Sequence, residues 1–353
     1  MDSTAGARGK MSLTRVIRSA MLLGLETAAT DVGLNALALL NAVNLPRDCM
    51  TRPDGLISAD AVNRLLEIAS EESGYTDFGF RASVARGLPD LGLATLLVRE
   101  EETLADALRA LASNIHLHGN STFIEFDEHV GLPILSFRIA TSVVGIQATE
   151  FCGCGVVQLV RWLVGPSWTP ATMCFAHTQP RHTSLQRKFY RTELRYGQLM
   201  SGVVFKKEDL DIRINSAPAS LRERAKRILE SQSAATHEPF EAQVARLIMH
   251  LLPYDRCSAD NIADALQIDR RTLSRRLGTK GLTYSSLLNQ VRSEIAISHV
   301  GGGDMALTDV AQAVGFTSLS TFSRWFQSMF ACSASSWREN HRHSLISDAG
   351  RIA

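Results

Sequence analysis

Near the C-terminal end of the chain, apolar residues recur at the spacing of a helix that is buried on one side. Wound as a helix, residues 319–329 place Phe322, Trp325, Phe326 and Met329 on one face. The remaining positions form a small, polar and cationic face: Ser320, Thr321, Ser323, Arg324 and Gln327. The pattern therefore predicts a helix with one packed side and one side free for contacts.

A shorter amphipathic helix is predicted directly upstream, over residues 307–315, and it ends in Gly315. A helix, a turn that contains glycine and a second helix with a polar outer face are the parts of a helix-turn-helix motif. The spacing alone is equally consistent with a two-helix corner in an ordinary helical core. A second copy of the pattern favours the first interpretation.

This second copy occupies residues 258–278. Ser258 and Asp269 are suited to cap two successive helices, and Leu273 and Leu277 face inward from the second one. The outward face of that helix is polar and basic: Arg271, Ser274 and Arg275. The duplication predicts that one polypeptide reads two neighbouring major-groove segments of DNA, roughly one helical turn apart.

The end of the chain resembles the DNA-binding domain of the AraC/XylS family of transcription regulators. Residues 315–340, GFTSLSTFSRWFQSMFACSASSWREN, follow the family's C-terminal signature. RRTLSRRL at 270–277 and LLNQVRSEIAISHV at 287–300 follow its first reading helix and its connecting helix. The resemblance covers about residues 237–342 and implies an all-α domain with two helix-turn-helix motifs. By position, it implies base contacts from seven residues: Arg271, Ser274, Arg275, Leu319, Ser320, Thr321 and Arg324.

Basic charge is concentrated locally in this region. The net charge of the 353-residue chain is +1, which does not by itself indicate a nucleic-acid partner. Arg270, Arg271, Arg275, Arg276 and Lys280 nevertheless crowd into eleven residues, and such a cluster can neutralise phosphates. A solvated helix face is the alternative for a basic run taken alone. We predict phosphate contacts from three residues: Arg276, Lys280 and Gln327.

The sequence departs from the family where the connecting helix ends, at Gly301, Gly302 and Gly303. Three glycines weaken a helix end and permit positive φ. The departure predicts that the relative orientation of the two motifs is looser in this chain.

The N-terminal half shows both helical and alternating periodicity, which predicts an α+β fold. Helical spacing marks seven segments: 12–30, 34–44, 58–72, 90–98, 103–118, 143–164 and 185–190. Alternation marks four strands, the first two of them paired: 122–126, 134–139, 173–177 and 202–205.

This half resembles the effector domain called arabinose-binding in a branch of the AraC-type regulators. The resemblance covers about residues 15–210 and is carried by TDFGFR at 76–81, LPDLGLATLL at 88–97 and RWLVGPSW at 161–168. It implies a small-molecule effector without identifying it, and nothing in the residues argues for a sugar.

The predicted fold class is therefore an α+β N-terminal effector domain followed by an all-α C-terminal domain with two helix-turn-helix motifs. We assign residues 12–212 to effector binding and dimerisation, and the polar, charged residues 213–236 to a helical linker. The double helix-turn-helix domain spans 237–342, and residues 343–353 form a tail.

Glu150 is the most informative polar residue of the N-terminal half. It interrupts an otherwise apolar helix, and Arg161 follows close to the same face. Because burying an unpaired acid is costly, Glu150 is either a hydrogen-bonded structural acid or part of a pocket wall that senses the effector. We predict an effector pocket that contains Glu150, His116 and His118.

Other constellations are weak evidence for chemistry. His116 with His118 and Cys152 with Cys154 could be combined into a four-ligand metal site, but the spacing does not put both members of either pair on one helix face. No base or oxyanion hole is apparent for a nucleophile at Cys174. We therefore expect no catalytic residue, no metal and no cofactor.

The remaining composition favours a soluble protein of the cytoplasm. Six cysteines are scattered without the framework of a small secreted domain, which fits a reducing compartment. Glu26 and Asp31 interrupt the first apolar run before it reaches the length of a signal peptide, and the run 151–160 is too short to span a bilayer.

The preferred function is a sequence-specific regulator of transcription that binds double-stranded DNA and senses a small molecule. We expect a homodimer, favour an activator over a repressor, leave contact with RNA polymerase open and expect no membrane partner. Two alternatives remain: an N-terminal half that only oligomerises and binds no ligand, and an enzyme with a helical appendage.

Overall fold

The computed structural model describes residues 14–128, 131–142, 145–214, 239–252, 257–302 and 305–347. The predicted linker lies outside the described residues apart from positions 213 and 214, and so do Gly303 and the last six residues of the predicted tail.

Eight α-helices lie in the described part of the N-terminal half. Three of them begin at side chains that cap the backbone, because Asn35, Ser58 and Thr103 accept hydrogen bonds from the amides of Ala38, Ala61 and Asp106. Short 3-10 helices lie at Ser19–Leu22, Arg47–Met50, Ile115–His118 and Lys207–Asp209. The α-helices are α1 Leu25–Asp31, α2 Ala36–Ala42, α3 Ala59–Ser73, α4 Phe78–Arg86, α5 Leu93–Arg99, α6 Leu104–Asn114, α7 Ile146–Val164 and α8 Ser184–Tyr190.

Seven strands form two sheets in the described part of this half. The strands are β1 Val16–Arg18, β2 Leu56–Ser58, β3 Thr122–Asp127, β4 Ile134–Ile139, β5 Thr172–Cys174, β6 Glu193–Arg195 and β7 Ser201–Val204. β1 and β2 make a small antiparallel pair, and the other five form one sheet in the order β3-β4-β7-β5-β6. Only the β5–β6 pair of that sheet is parallel.

The α+β prediction is confirmed, but its first element was wrong. Residues 12–30 were predicted as one helix, whereas the described part forms β1, a 3-10 turn and α1. Gly24, with φ of +83°, breaks any continuous helix there, and β1 is held by pairing with β2, which is distant in sequence. The pattern also missed α4, whose buried residues follow one another without a distinct helical spacing, and the three-residue strands β2 and β6.

α7 is the central element of the N-terminal core. Ala148 and Phe151 pack against the first three helices, while Cys154, Val157 and Val160 pack against the five-stranded sheet and α6. Because one helix serves two apolar clusters, most of its length is buried and few polar positions are tolerated. Glu150, on this helix, is one of the exceptions.

The C-terminal half is all helical where the structure describes it, as predicted. Its helices are α9 Phe240–Leu251, α10 Ala259–Ala265, α11 Arg270–Gly278, α12 Tyr284–Gly302, α13 Leu307–Ala313, α14 Leu319–Phe330 and α15 Ala334–Ser347. α12 continues through Gly301 and Gly302, and α15 extends five residues past the predicted domain end at 342. None of the helices in the described ranges is both long and apolar enough to cross a membrane.

The two helix-turn-helix motifs have the same turn geometry. In the first, Gln267 adopts φ of +55° and the Ile268 amide donates to the Ala263 carbonyl over 3.0 Å. In the second, Gly315 adopts φ of +70° and the Phe316 amide donates to the Ala311 carbonyl over 2.9 Å. The duplication inferred from sequence is therefore also a duplication of backbone structure.

The two halves meet where the outer face of the sheet covers α12. Phe123 of β3 and Ala140 after β4 pack into the apolar cluster of the C-terminal half. Arg15, just before β1, forms a buried two-bond ion pair with Glu294 of α12, with N–O distances of 2.6 and 3.0 Å. This pair joins residues that are 279 positions apart in the chain.

Replacing Gly315 with alanine tests how strictly the second turn is constrained. A left-handed alanine costs roughly 1–2 kcal/mol by itself. At Gly315 the new Cβ would also lie 3.1 Å from the Leu252 side chain and carbonyl, whereas at Gly33, with φ of +79°, nothing lies within 4 Å. We expect Gly315→Ala to lower the melting temperature, followed by circular dichroism, more than the matched control Gly33→Ala. Equal losses would mean that the Leu252 contact imposes no constraint.

Candidate functional site

The predicted base-reading positions all lie on exposed helix surfaces. On α11, Arg271, Ser274 and Arg275 are exposed, while Leu273 and Leu277 are buried beneath them. The second set is exposed on α14: Leu319, Ser320, Thr321 and Arg324. Phe322 and Phe326 of the same helix are fully buried. In both motifs the apolar stripe that forms the helix also determines which side faces solvent.

Hydroxyl groups cluster at the first turn of α14. The Ser318 side chain accepts a hydrogen bond from the Thr321 amide over 3.3 Å and lies 2.9 Å from the Thr321 hydroxyl and 3.2 Å from that of Ser320. The first turn of a recognition helix is the part that reaches base edges, and hydroxyl groups can both donate and accept there.

The first turn of α11 is fixed in a similar way. Asp269 accepts hydrogen bonds from the amide and the hydroxyl of Thr272, each over 2.8 Å. These bonds lower the pKa of Asp269, so its charge is retained at the positive end of the helix dipole. Arg271 and Arg275 therefore extend from a helix whose start is well anchored.

The connecting helix α12 lies between the two motifs in the chain. Its 19 residues span about 28 Å at 1.5 Å per residue, close to the roughly 34 Å of one DNA turn. Leu287, Val291 and Ile295 are buried in the core that both motifs share. α12 therefore runs through the core that the two motifs share.

Polar contacts fix the second motif to α12. The Arg292 guanidinium donates to the carbonyls of Val314 and Gly315, each over 3.1 Å, and lies 4.3 Å from the centre of the Phe316 ring. The Trp325 indole N–H donates to Asn289 over 3.0 Å. These contacts fix the rotation of α14 about its axis, which in turn keeps Arg324 on the outside.

The three predicted phosphate contacts, Arg276, Lys280 and Gln327, are exposed as well. The guanidinium of Arg276 lies 5.2 Å from the centre of the Phe240 ring, so it is partly held by α9. Arg270 forms an exposed ion pair with Asp260 over 3.2 Å. The contacts of all ten residues with DNA remain predictions.

Glu150 is completely buried in the N-terminal domain. Its Oε1 atom lies 3.5 Å from Nε2 of His177, and its other polar neighbour is the Tyr196 hydroxyl. Burial raises the pKa of Glu150 to about 8 and lowers that of His177 to about 4, so both groups are mainly uncharged at neutral pH. Arg161 does not pair with Glu150; it donates to the carbonyls of Trp168 and Phe189.

The structure does not bring the three predicted pocket residues together. His118 is buried beside Arg18, Arg86 and Asp90, and burial lowers its pKa to about 3. It lines a small apolar cavity of about 60 Å³, whereas Nδ1 of the partly exposed His116 lies 3.0 Å from the Ser113 carbonyl oxygen. We predicted His118 and Glu150 in one pocket because the sequence does not show which faces of two separate helices pack against each other.

All six cysteines are unpaired thiols. Burial raises the pKa of Cys152 and of Cys154 to about 12, which leaves them protonated and poorly nucleophilic. Within the described ranges, histidines, cysteines and acids form no cluster of three or more that could hold a metal ion.

A larger cavity, of about 370 Å³, lies between the two domains. Its walls come from the outer face of the sheet and from α12 and α13, and its lining includes Arg138, His177, Ser298, His299 and Gln312. Its volume is in the range of small-ligand sites. Sequence reasoning missed it because it exists only when the two domains pack together. Glu150 lies directly behind His177 in its wall.

Each half of the chain matches a known protein family. Residues 33–214 match the family described as the arabinose-binding domain of AraC transcription regulators, and residues 262–340 match a helix-turn-helix domain family.

Among curated proteins, the chain is 26% identical to the HTH-type transcriptional regulator VirS of Mycobacterium tuberculosis, over 90% of this chain and 95% of VirS. It is 22% identical to the ornithine utilization regulator of Pseudomonas aeruginosa, over 88% of this chain and 92% of that protein. The transcriptional activator NphR of Rhodococcus is 30% identical over 32% of this chain and 34% of NphR.

The buried acid gives a pH-dependent prediction. Between about pH 4.5 and 8, folded Glu150 keeps a proton that the unfolded chain releases, so this group lowers the free energy of unfolding as the pH rises. Glutamine does not titrate, so Glu150→Gln removes this pH-dependent decrease in the free energy of unfolding. We expect its melting temperature to exceed that of the parent by at least about 2 °C at pH 8, which corresponds to roughly 1 kcal/mol, with a smaller gain at pH 5.

Glu26→Gln is the matched control, because Glu26 is exposed on α1. It should leave the melting temperature unchanged at both pH values. A Glu150→Gln gain that is the same at pH 5 and pH 8 would contradict the raised pKa.

Proposed function

Because this chain belongs to the AraC-type transcription regulators that carry an arabinose-binding N-terminal domain, we propose that α11 and α14 enter two successive major grooves of an operator. The protein is a transcription regulator with a helix-turn-helix DNA-binding domain. The observation that carries the proposal is the exposure of Arg275 and Arg324 at corresponding positions of two motifs joined by a helix of about 28 Å.

The chemistry of the exposed residues suits base recognition. An arginine can donate two hydrogen bonds to O6 and N7 of guanine, worth roughly 1–3 kcal/mol of discrimination. Arg271, Arg275 and Arg324 are assigned this role, with Ser274, Ser320 and Thr321 as adaptable hydroxyl partners. Leu319, 38% exposed at the start of α14, is assigned to a thymine methyl group.

The phosphate-contacting residues have a different task. Arg276, Lys280 and Gln327 neutralise or hydrogen-bond phosphates and fix the register of the protein on the duplex without reading sequence. Because the net charge of the whole chain is only +1, the basic cluster at 270–280 supplies most of the salt-dependent affinity.

The N-terminal domain senses a small-molecule effector and forms the homodimer, and the regulator acts as an activator without catalytic activity of its own. The match of residues 33–214 to an arabinose-binding domain family supports effector sensing, and the name of NphR, a transcriptional activator, supports activation. Domain limits of 12–212 and 237–342 are supported by the apolar clusters, because the C-terminal cluster lies within 237–342 apart from Phe123 and Ala140, and the other two lie within 12–212 apart from Ile214. Contact with RNA polymerase is part of the activator proposal.

Two substitutions distinguish base reading from phosphate binding. We expect Arg324→Ala to relax specificity at one base pair of the selected site and to cost roughly 1–3 kcal/mol there. Lys280→Ala should weaken all sites alike and reduce the salt dependence by about one ion. Selection of bound fragments from a random DNA pool, followed by titration at several salt concentrations, measures both effects. Recovery of the parent motif by Arg324→Ala would show that Arg324 does not read a base.

A further inference from the structure

The cavity between the two domains contains an arginine without a hydrogen-bond acceptor. Arg138 lies on the outer face of β4, opposite Phe123 in the sheet register, and its side chain lines the cavity. In the part of the chain that the structure describes, its guanidinium donates no hydrogen bond, and its Nε atom is buried without a partner. Leaving such a strong donor group unsatisfied is costly.

The nearest acids do not satisfy Arg138. Glu294 attracts it electrostatically, but both carboxylate oxygens of Glu294 are engaged by Arg15, and one also accepts from Gln290 over 3.0 Å. Glu125 acts on Arg138 only through its charge. The arrangement leaves the fork of guanidinium donors open towards the cavity.

The neighbouring histidines do not supply a competing positive charge. His299 of α12 and His177 both line the cavity, and burial lowers the pKa of each to about 4. At neutral pH each ring can donate one hydrogen bond and accept another.

Three acids also line the cavity: Glu294 is paired with Arg15, Asp309 is exposed to solvent, and Glu125 attracts Arg138 electrostatically. At neutral pH a ligand with one acidic group would therefore find its cationic partner in Arg138.

Aliphatic side chains and hydroxyl groups make up much of the remaining lining. Ile139, Met200, Met249 and Ile295 contribute aliphatic surface, while Ser136 and Ser298 contribute hydroxyl groups. A predominantly apolar pocket with a few convergent polar groups is the usual composition of a small-molecule site.

We propose that this cavity is the effector site and that it takes a small organic carboxylate whose acid group binds Arg138. This proposal rests on the proposed function, since it locates the effector that the N-terminal domain is held to sense. Ser298 and His299 of α12 and Gln312 of α13 form the opposite wall. The ligand would thus contact the connecting helix and the first helix of the second DNA-binding motif directly.

That position gives the effector a direct route to the DNA-binding domain. A ligand that contacts both walls stabilises the state in which the two domains are packed together. If this packed state binds DNA with a different affinity from the unpacked state, the ligand changes the affinity of the protein for DNA. The Arg15–Glu294 ion pair spans the same interface and contributes to the packed arrangement without the ligand.

The test uses the full chain and two pairs of probes, hexanoate with hexanamide and benzoate with benzamide, in titration calorimetry. The amides keep the shape and remove the charge. We expect at least one carboxylate to bind roughly tenfold or more tightly than its amide, because a hydrogen bond to a charged group is lost. Arg138→Gln should reduce carboxylate binding to the level of the amide.

Arg195→Gln is the matched control, because Arg195 lies on β6 of the same sheet but is exposed and paired with Glu193. It should bind the carboxylate as the parent does. Ser298→Trp, which fills the cavity from α12, should abolish binding without removing Arg138. Binding of neither carboxylate, equal binding of acid and amide, or unchanged binding by Arg138→Gln would overturn the proposal.

The same samples are titrated with an operator selected from random DNA, with and without the carboxylate. Specific DNA binding by the parent, together with no carboxylate binding, would remove the effector site and leave the DNA-binding proposal intact. Carboxylate binding that depends on Arg138, together with no site-specific DNA binding, would support the effector site and contradict the DNA-binding proposal. If both proposals hold, the carboxylate changes operator affinity in the parent and not in Arg138→Gln.

Discussion

The architecture depends on the burial of one helix, α12, on several sides at once. Its apolar residues, among them Leu287, Val291 and Ile295, form the core that the two helix-turn-helix motifs share. Arg292 on the same helix anchors the turn of the second motif through two carbonyl groups. Glu294, two residues further, is bonded to Arg15 of the other domain. Because these contacts all involve one helix, the packing of the two helix-turn-helix motifs and the docking of the N-terminal domain are not independent of each other.

Much of the DNA-binding domain could be predicted from sequence because its determinants are local. The stripe that contains Phe322 and Phe326 defines α14 and its exposed face, and the capping side chains of Ser258 and Asp269 define where α10 and α11 begin. These features act within one or two helical turns, so they are visible in a short window. The turn at Gly315 belongs to the same class, whereas its counterpart Gln267 reaches positive φ without any glycine to indicate it.

The rest could not be predicted, because it arises from contacts between distant segments. Arg15 and Glu294 are far apart in the chain, and nothing near either residue indicates the other. Arg138 stands on the side of β4 that simple alternation assigns to water, yet the C-terminal domain covers that side. Glu150 was recognised as unusual, but its true neighbour, His177, lies beyond β5, and Arg161 bonds elsewhere. Sequence patterns identified the polar residues that need an explanation, and packing determined which of them meet.

The central claim is that α12 holds two reading helices about one DNA turn apart on one face of the duplex. Hydroxyl-radical footprinting on a selected operator tests it most directly, with about five base pairs inserted between the two protected segments to rotate them by half a turn. A rigid connection predicts that one segment loses protection and that affinity falls, while an insertion outside the site has no effect. Full protection of both segments after the central insertion would contradict the account, because the two motifs would then have to move independently.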